Sequence, residues 1–241
     1  MPAYESDLAY IHDAGFGEFS RSAAPGLLRL LAKSGVHNGL VVDLGCGSGI
    51  WARALTDAGY DVLGIDLSPA MLKLARKKAP EAKLLHSSYL DASLPPCAAV
   101  TSIGECLGYR FDENNRFPAL RRLFNRVHDA LRPGGIFVFD LAAPGRGSGP
   151  SQRNFQGADW AMLVAYDEAK RQRILTRRIT IFRKIGSTYR RGDEIHRLDL
   201  YNPSDVVAAL RQVGFKVRRL LDYGGMPFPK GLHAFLARKS S

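Results

Sequence analysis

Between Leu40 and Leu141, short apolar, β-branched runs alternate with amphipathic stretches, and this alternation constrains the fold more than any other feature. The runs LVVDL, DVLGID, AKLLH, AAVTSIG and IFVFDL have the length and composition of buried strands. Helical patterns separate them, one with Ser68 as N-cap and Pro69 at its first position. Such a rhythm predicts right-handed crossovers and a Rossmann-like, doubly wound, mostly parallel α/β sheet.

The flanking segments complete a single domain over residues 1–241. Residues 1–39 hold a helix that starts at Pro25 and ends at Gly35, and they are predicted to form a helical cap or lid. The cofactor-binding core covers 40–141. After the glycine-rich link PGRGSGPS, the region 150–201 shows strand patterns without helices and predicts an antiparallel β insertion that roofs the substrate side. Residues 202–241 hold a final helix, capped by Asn202, and a terminal hairpin, which gives seven strands in the main sheet.

Composition limits the cellular location, metal content and partners that we expect. Hydrophobic residues make up 46% of the chain, yet none of the apolar runs approaches the length of a membrane span, and the N-terminus does not resemble a secretory signal. We therefore expect a cytoplasmic protein without membrane contact. The three cysteines have no CxxC spacing, which argues against disulfides and a zinc site, so no metal is expected. The net charge of +11 indicates either a polyanionic partner or an arginine-rich surface.

Two features at strand ends carry the chemistry. The loop DLGCGSG, Asp43–Gly49, follows the first predicted strand and precedes a helix, so its glycines allow a tight turn and close approach of a ligand to the backbone. Asp66 ends the next strand, where a carboxylate suits a pair of ribose hydroxyls. Helix capping near Ser68 is the alternative role for Asp66. Both features also occur in dinucleotide dehydrogenases.

The sequence around these two features resembles the class I S-adenosylmethionine-dependent methyltransferases more than the dehydrogenases. The matching segments are VVDLGCGSG, GIDLSPAMLKLAR, HSSYLD, TSIGECLGY and LRPGGIFVFD, and the final hairpin agrees. The dehydrogenase fingerprint is GxGxxG, whereas this loop has Gly45-x-Gly47-x-Gly49 preceded by Asp43. The resemblance implies S-adenosylmethionine as cofactor and S-adenosylhomocysteine as product.

The resemblance also implies a cofactor site. The glycine loop lies against the methionine part, whose amino group Asp43 holds, and Asp66 binds the ribose. Two apolar side chains flank the adenine, two residues after the third strand cover its edge, and the end of strand four lies beside the methyl group. The implied set is Asp43, Gly45, Cys46, Gly47, Gly49, Asp66, Leu67, Met71, Ser88, Tyr89, Ile103, Gly104 and Glu105. An aspartate that often follows strand three in this family is replaced by Ser87.

Catalytic candidates on the acceptor side are Glu105 and Tyr109, which follow strand four, and His196 in the insertion. Glu194 and His196 are two residues apart on a predicted strand, so they share a face and could form a base or a substrate clamp. A solvated loop carboxylate and a surface histidine are the alternative readings of Glu105 and His196. His12 and Tyr223 are secondary candidates.

Three functions remain open from the sequence. The first is methyl transfer to a nitrogen or oxygen of a small-molecule acceptor by a monomer or homodimer. The second is an RNA or protein methyltransferase that uses the arginines between Arg171 and Arg191, although no separate nucleic-acid-binding module or motif supports it. The third is a cofactor-binding module that has lost its chemistry.

Overall fold

A seven-stranded sheet forms the centre of the computed structural model, which describes residues 4–148 and 151–240. Its strand order is β10-β11-β5-β4-β1-β2-β3, and β11 alone runs antiparallel to its neighbours. The strands are β1 Leu40–Leu44, β2 Asp61–Asp66, β3 Lys83–His86, β4 Cys97–Ser102, β5 Leu131–Ala142, β10 Lys216–Leu220 and β11 Leu232–Arg238. The predicted fold class, including the terminal hairpin, is confirmed.

The sheet order creates one crevice. The chain starts at β1, moves outward through β2 and β3, and then returns to place β4 on the other side of β1. Ligands of doubly wound sheets bind at this reversal, beyond the carboxyl ends of the strands. The glycine loop after β1 and the end of β4 therefore face the same crevice.

Helices cover the sheet because each has one apolar face. In α5, for example, Leu120, Leu123, Phe124 and Val127 lie at helical spacing and are fully buried against the strands. The helices are α1 Ser6–Phe16, α2 Glu18–Lys33, α3 Ile50–Asp57, α4 Pro69–Lys78, α5 Phe117–Ala130 and α6 Pro203–Val213.

The N-terminal region differs from the prediction. Pro25 does not begin a helix but lies inside α2, and the aromatic segment before it forms α1. An interior proline costs a helix about 3 kcal/mol. Leu27 and Leu31 on the same helix are almost fully buried, and this apolar contact offsets the loss.

The predicted cap of the last helix also differs. The Asn202 side chain does not accept a hydrogen bond from the backbone; its amide group lies 3.3 Å from the Asp205 carboxylate.

The insertion has three apolar strand patterns, DWAMLVAYDE, RILTRRITIFRK and STYRRGDEIHRLDLY, but it folds as a four-stranded antiparallel sheet. The additional strand, β6, has the polar sequence QRNFQ and therefore gives no hydrophobic signal. Its strands are β6 Gln152–Gln156, β7 Trp160–Ala169, β8 Ile174–Ile185 and β9 Thr188–Asp199, in sequential order. Part of the predicted glycine-rich link, residues 149 and 150, lies outside the described residues.

Helix α1 packs on one face of this second sheet. Leu8 and Ile11 of the helix join Trp160, Met162 and Ile179 of the sheet in a separate apolar cluster. Asp7 adds ion pairs to arginines of β8 and β9. Within 4–148 and 151–240, none of the helices has the length and apolar character needed to cross a membrane.

Candidate active site

The glycine loop is held open by backbone conformations that favour glycine. Gly45, Gly47 and Gly49 all have positive φ values, at 75°, 54° and 79°. A side chain at Gly45 would collide with Cys106. Around Gly47 the space is open within 4 Å, so a ligand can approach its backbone.

Gly49, the last glycine of the loop, packs closely against a helix. A β-carbon at this position would lie 2.9 Å from the Cα and Cβ of Ala75 in α4. The residue lies outside the cavity lining and lets the start of α3 pack closely on α4.

Asp66 links the loop to the end of β2. Its carboxylate accepts hydrogen bonds from the backbone N–H groups of Gly47 and Ser68, each at 2.8 Å. Burial raises the pKa of Asp66, and the two N–H groups oppose that rise by stabilising the ionised form. The side chain lines the cavity and retains acceptor capacity for two hydroxyl groups.

Asp43 is a buried carboxyl group at the bottom of the crevice, 2% exposed. It accepts a hydrogen bond of 2.7 Å from the Thr101 hydroxyl, which itself accepts the Trp51 indole N–H at 3.0 Å. Burial raises the pKa of Asp43 to about 7. A cation bound beside it would therefore be met by a carboxyl group that ionises near neutral pH.

A cavity of about 490 Å³ extends from these groups to the insertion. This volume falls in the roughly 300–1,000 Å³ range of ligand pockets. The predicted cofactor residues that line it are Asp43, Gly45, Cys46, Gly47, Asp66, Leu67, Met71, Tyr89, Ile103, Gly104 and Glu105. Ser88 lies outside the lining, and its hydroxyl donates a hydrogen bond to Asp112.

Glu105 lies where β4 ends, in the left-handed conformation at φ 64°. Its carboxylate is 7% exposed and pairs with Arg146 and Arg177, the latter at 2.6 Å. Arg177 also donates to the Tyr109 hydroxyl at 2.6 Å. Burial favours a higher pKa for Glu105, but the two guanidinium groups outweigh it and hold that pKa below its usual value. An ionised, doubly paired carboxylate is a poor proton acceptor.

His196 and Glu194 share a face of β9, as the spacing indicated. The His196 Nε2 lies 2.8 Å from a Glu194 carboxylate oxygen, and the ring is 1% exposed. The same carboxylate accepts the backbone N–H groups of Tyr4 and Glu5. The pair thus fastens the N-terminal segment to the insertion, and one edge of the imidazole faces the cavity.

His12 contributes a second imidazole from α1. Its ring lies between Tyr4, at 5.0 Å between centroids, and Phe16, at 6.0 Å. Within residues 4–148 and 151–240, the ring nitrogens of His12 make no hydrogen bond shorter than 3.5 Å. Burial, aided by the charge of Arg177, lowers the pKa of His12 to about 4. The imidazole is therefore neutral at physiological pH and faces the cavity.

Sequence reasoning missed the arginine partners of Glu105. Arg146 lies in the glycine-rich link, and Arg177 faces His196 across the β8–β9 pair. Once the hairpin register is known, the position of Arg177 opposite His196 indicates that this arginine lies at the site. The sequence alone does not fix that register. Tyr223, a secondary candidate, is buried and donates to Asp140 at 2.8 Å outside the cavity lining.

The basic stretch of the insertion is largely occupied by internal contacts. Four of its arginines form ion pairs with carboxylates outside the insertion, and Arg191 pairs with Asp193 on its own strand. The four are Arg173, Arg177, Arg183 and Arg190. In the described part of the chain, three or more histidine, cysteine and acidic side chains do not gather into a group that could hold a metal ion.

Comparison with known proteins adds an independent line of evidence. A family model described as a methyltransferase domain matches residues 41–135. A protein of Geobacillus sp. (strain WCH70), provisionally named a methyltransferase, is 26% identical over 89% of both chains. The dTDP-3-amino-3,6-dideoxy-alpha-D-glucopyranose N,N-dimethyltransferase of Streptomyces fradiae is 29% identical over 57% of this chain and 54% of its own length.

Among solved structures, an S-adenosylmethionine-dependent methyltransferase from Clostridium acetobutylicum ATCC 824 has a TM-score of 0.82. The superposition covers 98% of both chains at 19% sequence identity. At that identity the likeness concerns the fold, and its coverage includes the insertion as well as the central sheet.

Proposed function

We propose that the chain is a class I S-adenosylmethionine-dependent methyltransferase that transfers a methyl group to a nitrogen or oxygen nucleophile of a small-molecule acceptor. The observation that carries the proposal is the single cavity. It runs from the glycine loop and Asp66 at one end to Glu105, Tyr109 and His12 at the other.

The cofactor end of the cavity fits S-adenosylmethionine. Asp66 binds the ribose hydroxyls, the open backbone at Gly47 accommodates the methionine part, and Asp43 faces its ammonium group. Leu67 and Met71 offer apolar surface to the adenine. Bound S-adenosylmethionine supplies an activated methyl group, so the chain needs chiefly to align the acceptor with it and exclude water.

The covered shape of the cavity supports a small acceptor. Helix α1 and the second sheet cover the cavity, and apolar side chains from both, including Leu8, Met162 and Ile179, line it. A volume of about 490 Å³ has to hold the cofactor together with the reacting part of the acceptor. A folded RNA would have to open this roof.

On the acceptor side we assign proton removal to His12. The His12 imidazole faces the cavity without a hydrogen-bond partner in the described structure, so it is placed to accept the proton that the nucleophile loses. Its pKa of about 4 makes it a weak base, so it holds this proton only transiently. The positive charge of the donor sulfur disappears as the methyl group leaves, which favours the new imidazolium. Glu105, Tyr109 and His196 then position the acceptor, because each is already held by Arg177 or Glu194.

Amines on sugars are a specific acceptor class within this proposal. The Streptomyces relative is named as an amino-sugar N,N-dimethyltransferase. A mixed lining of aromatic rings and hydrogen-bonding groups such as Tyr4, Tyr109 and His12 suits a ring that carries both hydroxyl groups and an amine.

A methyl-transfer panel tests the proposal. The protein is incubated with S-adenosylmethionine and, separately, amino sugars, simple amines, hydroxylated aromatics or bulk tRNA, and S-adenosylhomocysteine release is measured with mass detection of the product. The proposal expects product with a small molecule. Methylated tRNA with no small-molecule product would overturn it in favour of the RNA alternative, and cofactor binding without product in any arm would favour a non-catalytic module.

A further inference from the structure

Charge is distributed unevenly along the cavity. Its cofactor end contains the carboxyl groups of Asp43 and Asp66. The other end contains three arginines, Arg146, Arg153 and Arg177, against one glutamate, Glu105. Bound S-adenosylmethionine would add a sulfonium charge between them. The acceptor end therefore carries an excess of positive charge. The Arg146 and Arg177 side chains are 23% and 14% exposed, so their charges are only partly screened by water, whereas Arg153 is exposed.

The three arginines are not equally engaged. Arg177 uses its two terminal nitrogens on Glu105 and Tyr109. Arg146 contacts Glu105 through Nε alone, which leaves both of its terminal nitrogens without a partner in residues 4–148 and 151–240. The side chain of Arg153 forms no hydrogen bond or ion pair with any described residue.

Arg153 is nevertheless held at the cavity wall. It lies on β6, and its guanidinium carbon is 5.8 Å from the centre of the Tyr166 ring on the neighbouring strand. Phe155, two residues further along β6, also lines the cavity. Arg146 and the link residues Gly147 and Ser148 line the same cavity.

Two guanidinium groups with free donors in one cavity can bind an oxyanion. Planar N–H pairs match the oxygens of phosphate and carboxylate groups and bind them in a bidentate manner. A cationic acceptor would meet repulsion from the same arginines and from the sulfonium group. The charge balance therefore favours an acceptor with a negatively charged substituent some distance from its nucleophile.

We propose that the methyl acceptor carries a phosphate or carboxylate group, which Arg153 and the terminal nitrogens of Arg146 bind at the acceptor end of the cavity. This proposal rests on the proposed function, because it takes the other end of the cavity as the cofactor site. It names a binding site for the acceptor that is separate from the groups placed next to the transferred methyl.

Calorimetry with small oxyanions tests the site without knowledge of the full acceptor. Protein saturated with S-adenosylhomocysteine is titrated with inorganic pyrophosphate and, separately, with malonate, at constant ionic strength. We expect one of the two to bind, and Arg153→Gln to weaken that binding at least about tenfold through loss of a charged bidentate contact. The matched control is Arg171→Gln, which removes the same charge from an exposed turn outside the cavity.

The two probes also separate the sources of the oxyanion. Binding of pyrophosphate that depends on Arg153 assigns a phosphorylated acceptor, and binding of malonate with the same dependence assigns a carboxylated one. Equal affinities in the two variants, or no binding of either probe to the parent protein, would overturn the proposal. If S-adenosylhomocysteine fails to bind, the proposed function falls, and titration of the unloaded protein still tests the arginine site.

Discussion

The two ends of the cavity are built in different ways. At the cofactor end, the contacts join groups of the central sheet and its loops, as between the Asp66 carboxylate and the backbone N–H groups of Gly47 and Ser68. At the acceptor end, side chains far apart in sequence meet, as when Glu105 pairs with Arg177 and Glu194 binds the backbone at Tyr4. The first end is a property of the central sheet, whereas the second exists only once the insertion and α1 have docked.

The difference has a consequence for how each end tolerates change. A backbone cradle persists when one side chain is replaced, so substitutions there act on the ligand. A network of buried side chains supports both fold and substrate position, so substitutions there act on stability as well. Four experiments test this difference between the two ends, and they are given in order of decreasing expected effect.

Asp66→Ala removes the carboxylate proposed for the ribose. Loss of two hydrogen bonds to a charged group, each worth about 1.5–3 kcal/mol, weakens S-adenosylmethionine binding about 1,000-fold. Isothermal calorimetry measures the change, and circular dichroism verifies the fold. Asp61→Ala is the control, since Asp61 is exposed at the start of the same strand. Similar affinities for the two variants would refute the ribose assignment.

His12→Phe keeps an aromatic ring between Tyr4 and Phe16 but removes the proton acceptor. General base catalysis contributes at least about 100-fold, so kcat should fall by that factor with an acceptor from the panel. Affinity for S-adenosylmethionine should stay within about twofold, because His12 lies at the acceptor end. A variant that retains the parent kcat would exclude His12 as the base.

Arg177→Met leaves Glu105 buried with one partner in place of two. The incompletely paired carboxylate lowers the free energy of unfolding by about 2 kcal/mol, as measured by urea denaturation. Arg191→Met breaks an ion pair with Asp193 whose side chains are 64% and 55% exposed, and it should cost less than about 0.5 kcal/mol. Equal costs would show that the acceptor-end network does not support the fold.

The pH dependence of cofactor binding probes Asp43. Because burial raises its pKa to about 7 in the ligand-free structure, the carboxyl group is mostly protonated at pH 6. A bound ammonium group favours the ionised form, so binding releases a proton, and affinity should increase about tenfold from pH 6 to pH 8 and then level off. Asp43→Asn should abolish this pH dependence. A flat profile in the parent protein would contradict the placement of a cation beside Asp43.

The difference between the two ends also explains which parts of the fold and site could be predicted from the sequence. The alternating strands and helices, the glycine loop and Asp66 depend on local pattern, so the sheet and the lining of the cofactor end follow from the sequence. Gly49 and Ser88 belong to the predicted cofactor set, but both lie outside the cavity lining. Gly49 packs closely on Ala75, and Ser88 donates a hydrogen bond to Asp112. Neither contact can be recognised from a single segment of the sequence. Arg153 and Arg177 reach the cavity through the strand register of the insertion, which a sequence with a polar strand such as β6 leaves undetermined, and Arg146 reaches it from the link before the insertion.

A crystal structure grown with S-adenosylhomocysteine tests the central claim most directly. We predict the ribose hydroxyls on the Asp66 carboxylate, the amino acid part along the glycine loop, and the sulfur directed toward the space between Glu105 and His12. An empty crevice after β1, or a ligand whose ribose lies away from Asp66, would contradict the account.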